Sequence, residues 1–103
     1  MSTLLSTMTL SQVVERILIS VGKSTFLKLY PILKNNIKIE PNEVCKLISD
    51  YKNYTPTSQK TRLVHARRII NEGWEREALE NISLSDKLNS EDIELALEYL
   101  KKL

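Results

Sequence analysis

The stretch Thr9-Leu-Ser-Gln-Val-Val-Glu-Arg-Ile-Leu-Ile-Ser-Val-Gly22 decides the fold class of this sequence. Thr9 and Gln12 have the spacing of a capping box, in which each side chain accepts a hydrogen bond from the other residue's backbone N–H. Apolar residues then recur at helical intervals, namely Leu10, Val13, Val14, Ile17, Leu18 and Val21. Gly22 is a residue type that commonly ends a helix. The stretch therefore predicts an amphipathic helix at the start of the chain.

Two further helices are predicted downstream. Ser24 can cap a second helix, although Pro31 lacks the N–H that a helix interior requires and is expected to kink or end it. Pro41 suits the first turn of a third helix, which is expected over about Asn42 to Tyr51. The buried stripe of this third helix is predicted to contain Val44, Leu47, Ile48 and Tyr51.

The second half of the sequence predicts three more helices. The segment Lys52 to Thr57 has the composition of a loop, and a fourth helix follows from about Thr57 to Asn71. Gly73 lies where a left-handed cap is expected, a fifth helix resumes at Trp74, and Ser90 can cap a sixth. The residues predicted to face inward are Leu63, Ala66, Ile69 and Ile70 in the fourth helix, Ala78, Leu79 and Ile82 in the fifth, and Ile93, Ala96, Leu97 and Leu100 in the sixth.

Length and composition agree with this helical pattern. The chain has 103 residues, of which 42% are hydrophobic and 27% charged, with only two glycines and three prolines to form turns. We therefore expect an all-α protein, a compact bundle of about five to six short helices, with residues 9–103 as a single helical domain after a flexible N-terminus at residues 1–8. Apolar runs are too short to cross a bilayer, so no membrane association is expected. A single cysteine fits a cytoplasmic location.

Charge is distributed unevenly although the net charge is only +2. Five basic residues and no acid occur from Arg16 to Ile39, and five basic residues plus a histidine, again without an acid, occur from Tyr51 to Asn71. From Glu72 to Glu98 there are nine acids against two basic residues. Such segregation can create a local positive field that attracts a polyanion. The alternative is that basic and acidic helices pack side by side and neutralise each other.

No candidate motif for catalysis, cofactor binding or metal binding is complete in this sequence. Gly22-Lys23-Ser24-Thr25 resembles the end of a phosphate-binding loop, but a helix precedes it where that motif requires a strand. Cys45 and His65 lack a third group that would orient them as nucleophile and base, and Cys45 is expected to be buried or half-buried. One cysteine and one histidine cannot complete a zinc site. We therefore expect a protein that is not an enzyme and that holds no cofactor and no metal.

The basic fourth helix is the best candidate for a binding site. Its basic and amide side chains can donate to phosphates and to base edges, and no carboxylate on it would repel a nucleic-acid backbone. The predicted nucleic-acid-binding residues are Lys52, Lys60, Arg62, His65, Arg67, Arg68 and Asn71. These residues predict a small DNA-binding protein, a transcriptional regulator that places the helix in the major groove.

The run Ser58-Gln-Lys-Thr-Arg-Leu-Val-His-Ala-Arg-Arg-Ile-Ile70 resembles the recognition helix of helix-turn-helix proteins, in particular the sigma-factor region 4 type. The resemblance covers about thirteen residues. It implies that the third helix supports the fourth and that Lys60, Arg62, His65 and Arg68 contact DNA. The connection from Lys52 to Thr57 is longer than the usual turn of that motif and lacks its glycine. Similar basic helices also occur in the core-binding domains of tyrosine recombinases.

A protein-interaction module or a small inhibitory or regulatory subunit is the alternative function. Trp74 would be its anchor if exposed, because tryptophan is enriched at binding hot spots, but the favoured expectation is that Trp74 packs beside Ile70 and Ala78. Val64 lies on the proposed reading face, and its exposure is left open. A homodimer is a further alternative, since DNA readers of this size often dimerise.

Overall fold

Six α-helices and one short 3-10 turn make up the regular structure of residues 8–103, the part of the chain that the computed structural model describes. The helices are α1 (Leu10–Val21), α2 (Lys23–Asn35), α3 (Pro41–Leu47), α4 (Pro56–Asn71), α5 (Glu75–Ser83) and α6 (Ser90–Lys101). The 3-10 turn, Ser49–Asn53, lies between α3 and α4. No strand occurs in these residues, which confirms the all-α class. Of the N-terminus expected to be flexible, residues 1–7 lie outside the described part.

The start of α1 and the boundary with α2 follow from local sequence. Thr9 and Gln12 form the predicted capping box, with N–O distances of 2.9 and 3.2 Å. Gly22 ends α1 with a φ of +91° and is also the N-cap of α2. The expectation that Ser24 caps α2 is wrong, because α2 already begins at Lys23. Pro31 does not end α2, since buried side chains on both sides of it anchor the helix to the core as far as Asn35.

The third helix is shorter than predicted. It ends at Leu47 because Ile48 adopts an extended conformation, with φ −123° and ψ 103°. The 3-10 turn that follows buries Tyr51, whereas Leu47 is 63% exposed. The predicted stripe is therefore correct for Val44 and Tyr51, correct in part for Ile48, and wrong for Leu47, the last residue of α3, whose side chain faces solvent.

The second half of the chain follows the prediction with small corrections. The helix α4 begins at Pro56, with Thr55 as its N-cap, so the preceding loop is shorter than expected. Gly73, with a φ of +77°, forms the predicted left-handed cap, and the N–H of Trp74 bonds the carbonyl of Ile69 at 2.9 Å. In α6 the N-cap is Asn89 and not Ser90, because the Asn89 side chain accepts the N–H of Asp92 at 2.8 Å.

The core forms where α4 and α5 pack against α1, and where α2 and α6 close the bundle. Its largest fully buried side chains include Tyr51, Phe26, Leu18, Leu27, Leu29, Leu33, Leu63, Ile69, Leu79 and Ile82. In α6 only Ala96 is fully buried, and Leu97 is 45% exposed, so the predicted inward position of Leu97 is wrong. The inward side of α6 instead carries Leu95, Ala96, Tyr99 and Leu100.

Candidate nucleic-acid interface

The orientation of α4 is set by its apolar side. Leu63, Ala66 and Ile69 are buried against the core, and Ile70 packs against it in part. Thr55 caps the helix through a hydrogen bond from the N–H of Ser58 at 3.1 Å, and Pro56 occupies the first turn, where its missing N–H costs nothing. The opposite side of α4 therefore faces solvent over the whole length of the helix.

The solvent side of α4 forms one continuous row, which we call the α4 row. Its members lie three or four residues apart and are all exposed, namely Thr57, Lys60, Thr61, Val64, Arg68 and Asn71. Val64, whose exposure the sequence left open, is 49% exposed. The side chains of Lys60 and Arg68 make no hydrogen bond or ion pair with any other residue of the described chain. Their positive charges are therefore available to an external anion.

Arg62 lies apart from the α4 row and is occupied within the protein. Its Nε donates to the Ser58 hydroxyl at 3.0 Å, and its Nη1 donates to the Val21 carbonyl at 2.5 Å. The guanidinium also stacks on Tyr54, 3.8 Å from the ring centroid. These contacts hold the end of α1 and the segment before α4 against α4. The Arg62 side chain therefore stabilises the fold.

Arg67 is occupied in a similar way on the other flank of α4. Its Nε donates to the carbonyl of Ile37 at 2.5 Å, and its Nη2 donates to the carbonyl of Ile39. These bonds satisfy backbone oxygens of the loop between α2 and α3 that no helix would pair. Binding of nucleic acid by Arg62 or Arg67 stays a prediction, but the geometry gives both guanidiniums another role.

Two predicted residues, His65 and Lys52, lie outside the α4 row, and Asn71 lies at its end. His65 is half-buried, and its Nδ1 is enclosed without a hydrogen-bond partner in the described residues. Lys52 is exposed in the 3-10 turn. Asn71 lines a surface depression together with Lys38, an exposed lysine absent from the predicted set. The acid-free segment from Arg16 to Ile39 was the sequence signal that pointed to Lys38.

Ion pairs within the described residues neutralise two of the three lysines of α2, Lys28 and Lys34, but none of the basic residues of α4. Among residues 8–103, the two salt bridges join Lys28 to Asp50 at 3.7 Å and Lys34 to Glu75 at 2.8 Å. The hydrogen bond and the charge of Glu75 raise the pKa of Lys34. The alternative in which basic and acidic segments neutralise each other therefore applies to Lys28 and Lys34 of α2. The carboxylate of Glu40 lies near the α4 row, in a groove that Lys60 also lines, and the exposed Glu72 follows Asn71 directly at the end of α4.

The helix-turn-helix resemblance requires α3 as the supporting helix. In the structure α3 ends at Leu47, and the connection to α4 runs from Ile48 to Thr55 through the 3-10 turn. The motif ordinarily has a turn of 3 to 4 residues. The resemblance therefore stays a prediction, and the exposure of the α4 row does not depend on it.

Trp74 and Cys45 occupy structural positions. Trp74 is half-buried against the core, as favoured from the sequence, and the Arg68 guanidinium lies 5.5 Å from its ring centroid. Cys45 is half-buried, as expected. Within residues 8–103, no three His, Cys, Asp or Glu side chains gather as metal ligands would. None of the helices in that range has the length and apolarity needed to cross a bilayer.

Comparisons with family models, curated proteins and solved structures find no match to this chain.

Proposed function

We propose that this protein binds DNA through the α4 row and acts as a small cytoplasmic regulator of transcription. One observation carries the proposal: Lys60 and Arg68 are exposed on the same side of a helix that contains no acid, and no ion pair within residues 8–103 neutralises them. Unpaired cations on a rigid element favour a polyanionic partner, because they release counterions when they bind phosphates.

The α4 row has the dimensions and side chains of a groove-binding helix. Lys60 and Arg68 are two turns apart, about 12 Å along the axis, and can contact phosphates at separate positions. Asn71 carries an amide of the kind that reads adenine, and the methyl groups of Val64 can contact a thymine methyl. Thr57 and Thr61 add hydroxyl donors. Arg62 and Arg67 hold the helix in place and are not part of the proposed contact.

Fluorescence anisotropy with a labelled 20-base-pair duplex tests the proposal. The wild-type protein is expected to bind at low salt, with a logarithm of affinity that falls linearly with the logarithm of salt concentration. Replacing both cations, Lys60→Ala with Arg68→Ala, should weaken binding and reduce the magnitude of that slope by about 1 for each lost contact. The matched control is Lys101→Ala with Lys102→Ala, which removes two exposed lysines at the end of α6.

Two results would count against DNA binding by the α4 row. One is the absence of duplex binding by the wild type at low salt. The other is an equal loss of affinity in the α4 variant and the α6 control, because non-specific attraction to net charge would then account for binding. Circular dichroism of both variants checks that the helices are retained.

A further inference from the structure

A second surface, which shares no residue with the α4 row, is a groove of 1160 Å³ above α5. Because α5 packs against both α1 and α6, these two helices form the walls of the groove, and the bend between α5 and α6 closes one end. The wall on α1 carries Ser11, Glu15 and Ile19, which lie one above the other at four-residue spacing. The long axis of the groove therefore runs along α1.

The lining of this groove contains three exposed apolar side chains, among them the two most exposed large ones in the described chain. Leu84 is 84% exposed, Ile19 is 72% exposed, and Leu97 is 45% exposed. Leu88 and Leu100 lie beside them and are partly buried against the core. None of the three exposed side chains is needed to fill the core. Single exposed apolar residues are ordinary on a protein surface, but a contiguous set that is rimmed by polar residues marks an interaction site.

Carboxylates dominate the rim of the groove. Four acids, Glu15, Glu77, Glu80 and Asp86, line it together with two lysines. Glu15 is held at the wall by a hydrogen bond from the Asn81 amide at 3.3 Å. No basic side chain of the described residues forms a salt bridge with any of the four acids. Four carboxylates against two lysines give the lining a formal net charge of −2, with the acids on α1, on α5 and in the bend between α5 and α6.

We propose that this groove binds an amphipathic helix of a partner protein, with lysines or arginines flanking its apolar stripe. Helix-in-groove recognition places apolar residues at i, i+3, i+4 and i+7 on an apolar floor. Basic flanks would meet the carboxylates on α1, on α5 and in the bend, which aligns the helix and excludes acidic competitors. The groove and the α4 row attract opposite charges, so one protein can hold DNA and a basic partner segment at the same time.

Anisotropy with two labelled 15-residue peptides tests this proposal on the full chain. One peptide carries leucines at i, i+3, i+4 and i+7 with lysines on the flanks, and the other has glutamates in place of the lysines. The lysine peptide is expected to bind saturably and the glutamate peptide is not. Ile19→Ser with Leu84→Ser should weaken binding by at least about tenfold. The matched control is Leu47→Ser, which removes an exposed leucine outside the groove.

Charge is tested separately with Glu80→Gln and Asp86→Asn, which leave the apolar side chains of the groove intact. This pair should weaken the lysine peptide most at low salt, because screening reduces the attraction of exposed charges. The proposal is overturned if the lysine peptide does not bind, if the glutamate peptide binds equally well, or if Leu47→Ser is as harmful as the groove variant. Sedimentation of the free chain adds one more outcome: a dimer that Ile19→Ser with Leu84→Ser dissociates would assign the groove to a second copy, against the proposal.

Discussion

The Arg62 guanidinium donates to the carbonyl oxygen of Val21 at 2.5 Å and thereby joins the middle of α4 to the end of α1. The last carbonyls of a helix lack partners within the helix, so this bond satisfies a group that would otherwise be unpaired beside the core. The same guanidinium stacks on Tyr54, whose hydroxyl lies 3.0 Å from that of Thr25 at the start of α2. One basic residue of α4 thus connects three parts of the fold.

Arg62→Ala is expected to destabilise the protein by about 2–3 kcal/mol, because a charged donor is lost and a backbone carbonyl is left unpaired. The matched control is Lys60→Ala, which should change the free energy of unfolding by less than about 0.5 kcal/mol because Lys60 is exposed. Urea denaturation of both variants measures the difference. Equal stability of the two variants would show that the Arg62 contacts contribute nothing in solution.

Gly22→Ala and Gly73→Ala form a second matched pair. Both glycines have a positive φ, +91° and +77°, but a Cβ at Gly22 would lie 3.2 Å from Nη1 of Arg62, whereas a Cβ at Gly73 would meet nothing within 4 Å. We expect a loss of about 3 kcal/mol for Gly22→Ala, from backbone strain and a displaced Arg62, and about 1 kcal/mol for Gly73→Ala. Thermal unfolding distinguishes them, and a larger effect at Gly73 would contradict this account.

The helices could be predicted from the sequence where capping and periodicity coincide. The predicted start of α1, at Thr9 and Gln12, and the predicted end of α4, at Gly73, are both correct. The hydrogen bonds that set these helix ends are local in sequence. The boundary at Leu47 could not be predicted, because the periodicity of α3 continues through Ile48 while the backbone changes to extended and then to 3-10 geometry. Tyr51, buried in the 3-10 turn, donates to the carbonyl of Gln59 in α4, a tertiary contact that helical periodicity does not encode.

The same limit applies to the candidate site. Helical spacing alone puts Lys60 and Arg68 opposite the buried stripe of α4, and both side chains are exposed in the structure, whereas it left the exposure of Val64 open. It cannot show that Arg62 and Arg67 donate to carbonyls 41 and 30 positions away in the sequence, at Val21 and at Ile37. A basic residue that flanks a buried stripe can either reach solvent or bond the backbone of a neighbouring segment, and only the packing decides between them.

The ionisation of Tyr51 is expected to lower the stability of the fold at alkaline pH. Burial raises its pKa to about 12, and its hydroxyl donates to the carbonyl of Gln59 at 2.5 Å. Between about pH 10, where the unfolded tyrosine ionises, and about pH 12, the folded state retains a proton that the unfolded state has lost, so stability falls as pH rises. The full loss from this group is roughly 3 kcal/mol.

Tyr51→Phe should cost about 1 kcal/mol at pH 7, because the hydrogen bond is lost, and should make the alkaline decrease shallower. A remaining decrease is expected from Tyr30 and Tyr99, whose pKa values burial also raises. The measurement is the free energy of unfolding by urea from pH 7 to pH 11. Parallel curves for the wild type and Tyr51→Phe would show that Tyr51 ionises as easily in the folded protein as in the unfolded chain.

Arg68 and Trp74 provide a direct report on DNA contact by the α4 row. Trp74 is the chain's single tryptophan, and the Arg68 guanidinium lies 5.5 Å from its ring centroid. If Arg68 moves to a phosphate, the ring loses a neighbouring cation, and the intrinsic fluorescence of the protein should change as duplex is added. Arg68→Ala should abolish this change even where some affinity remains through Lys60, whereas Lys60→Ala should lower the affinity and retain the change. Duplex binding seen by anisotropy without any fluorescence change in the wild type would place the contact away from Arg68, and the α4 row would then not be the DNA-binding surface.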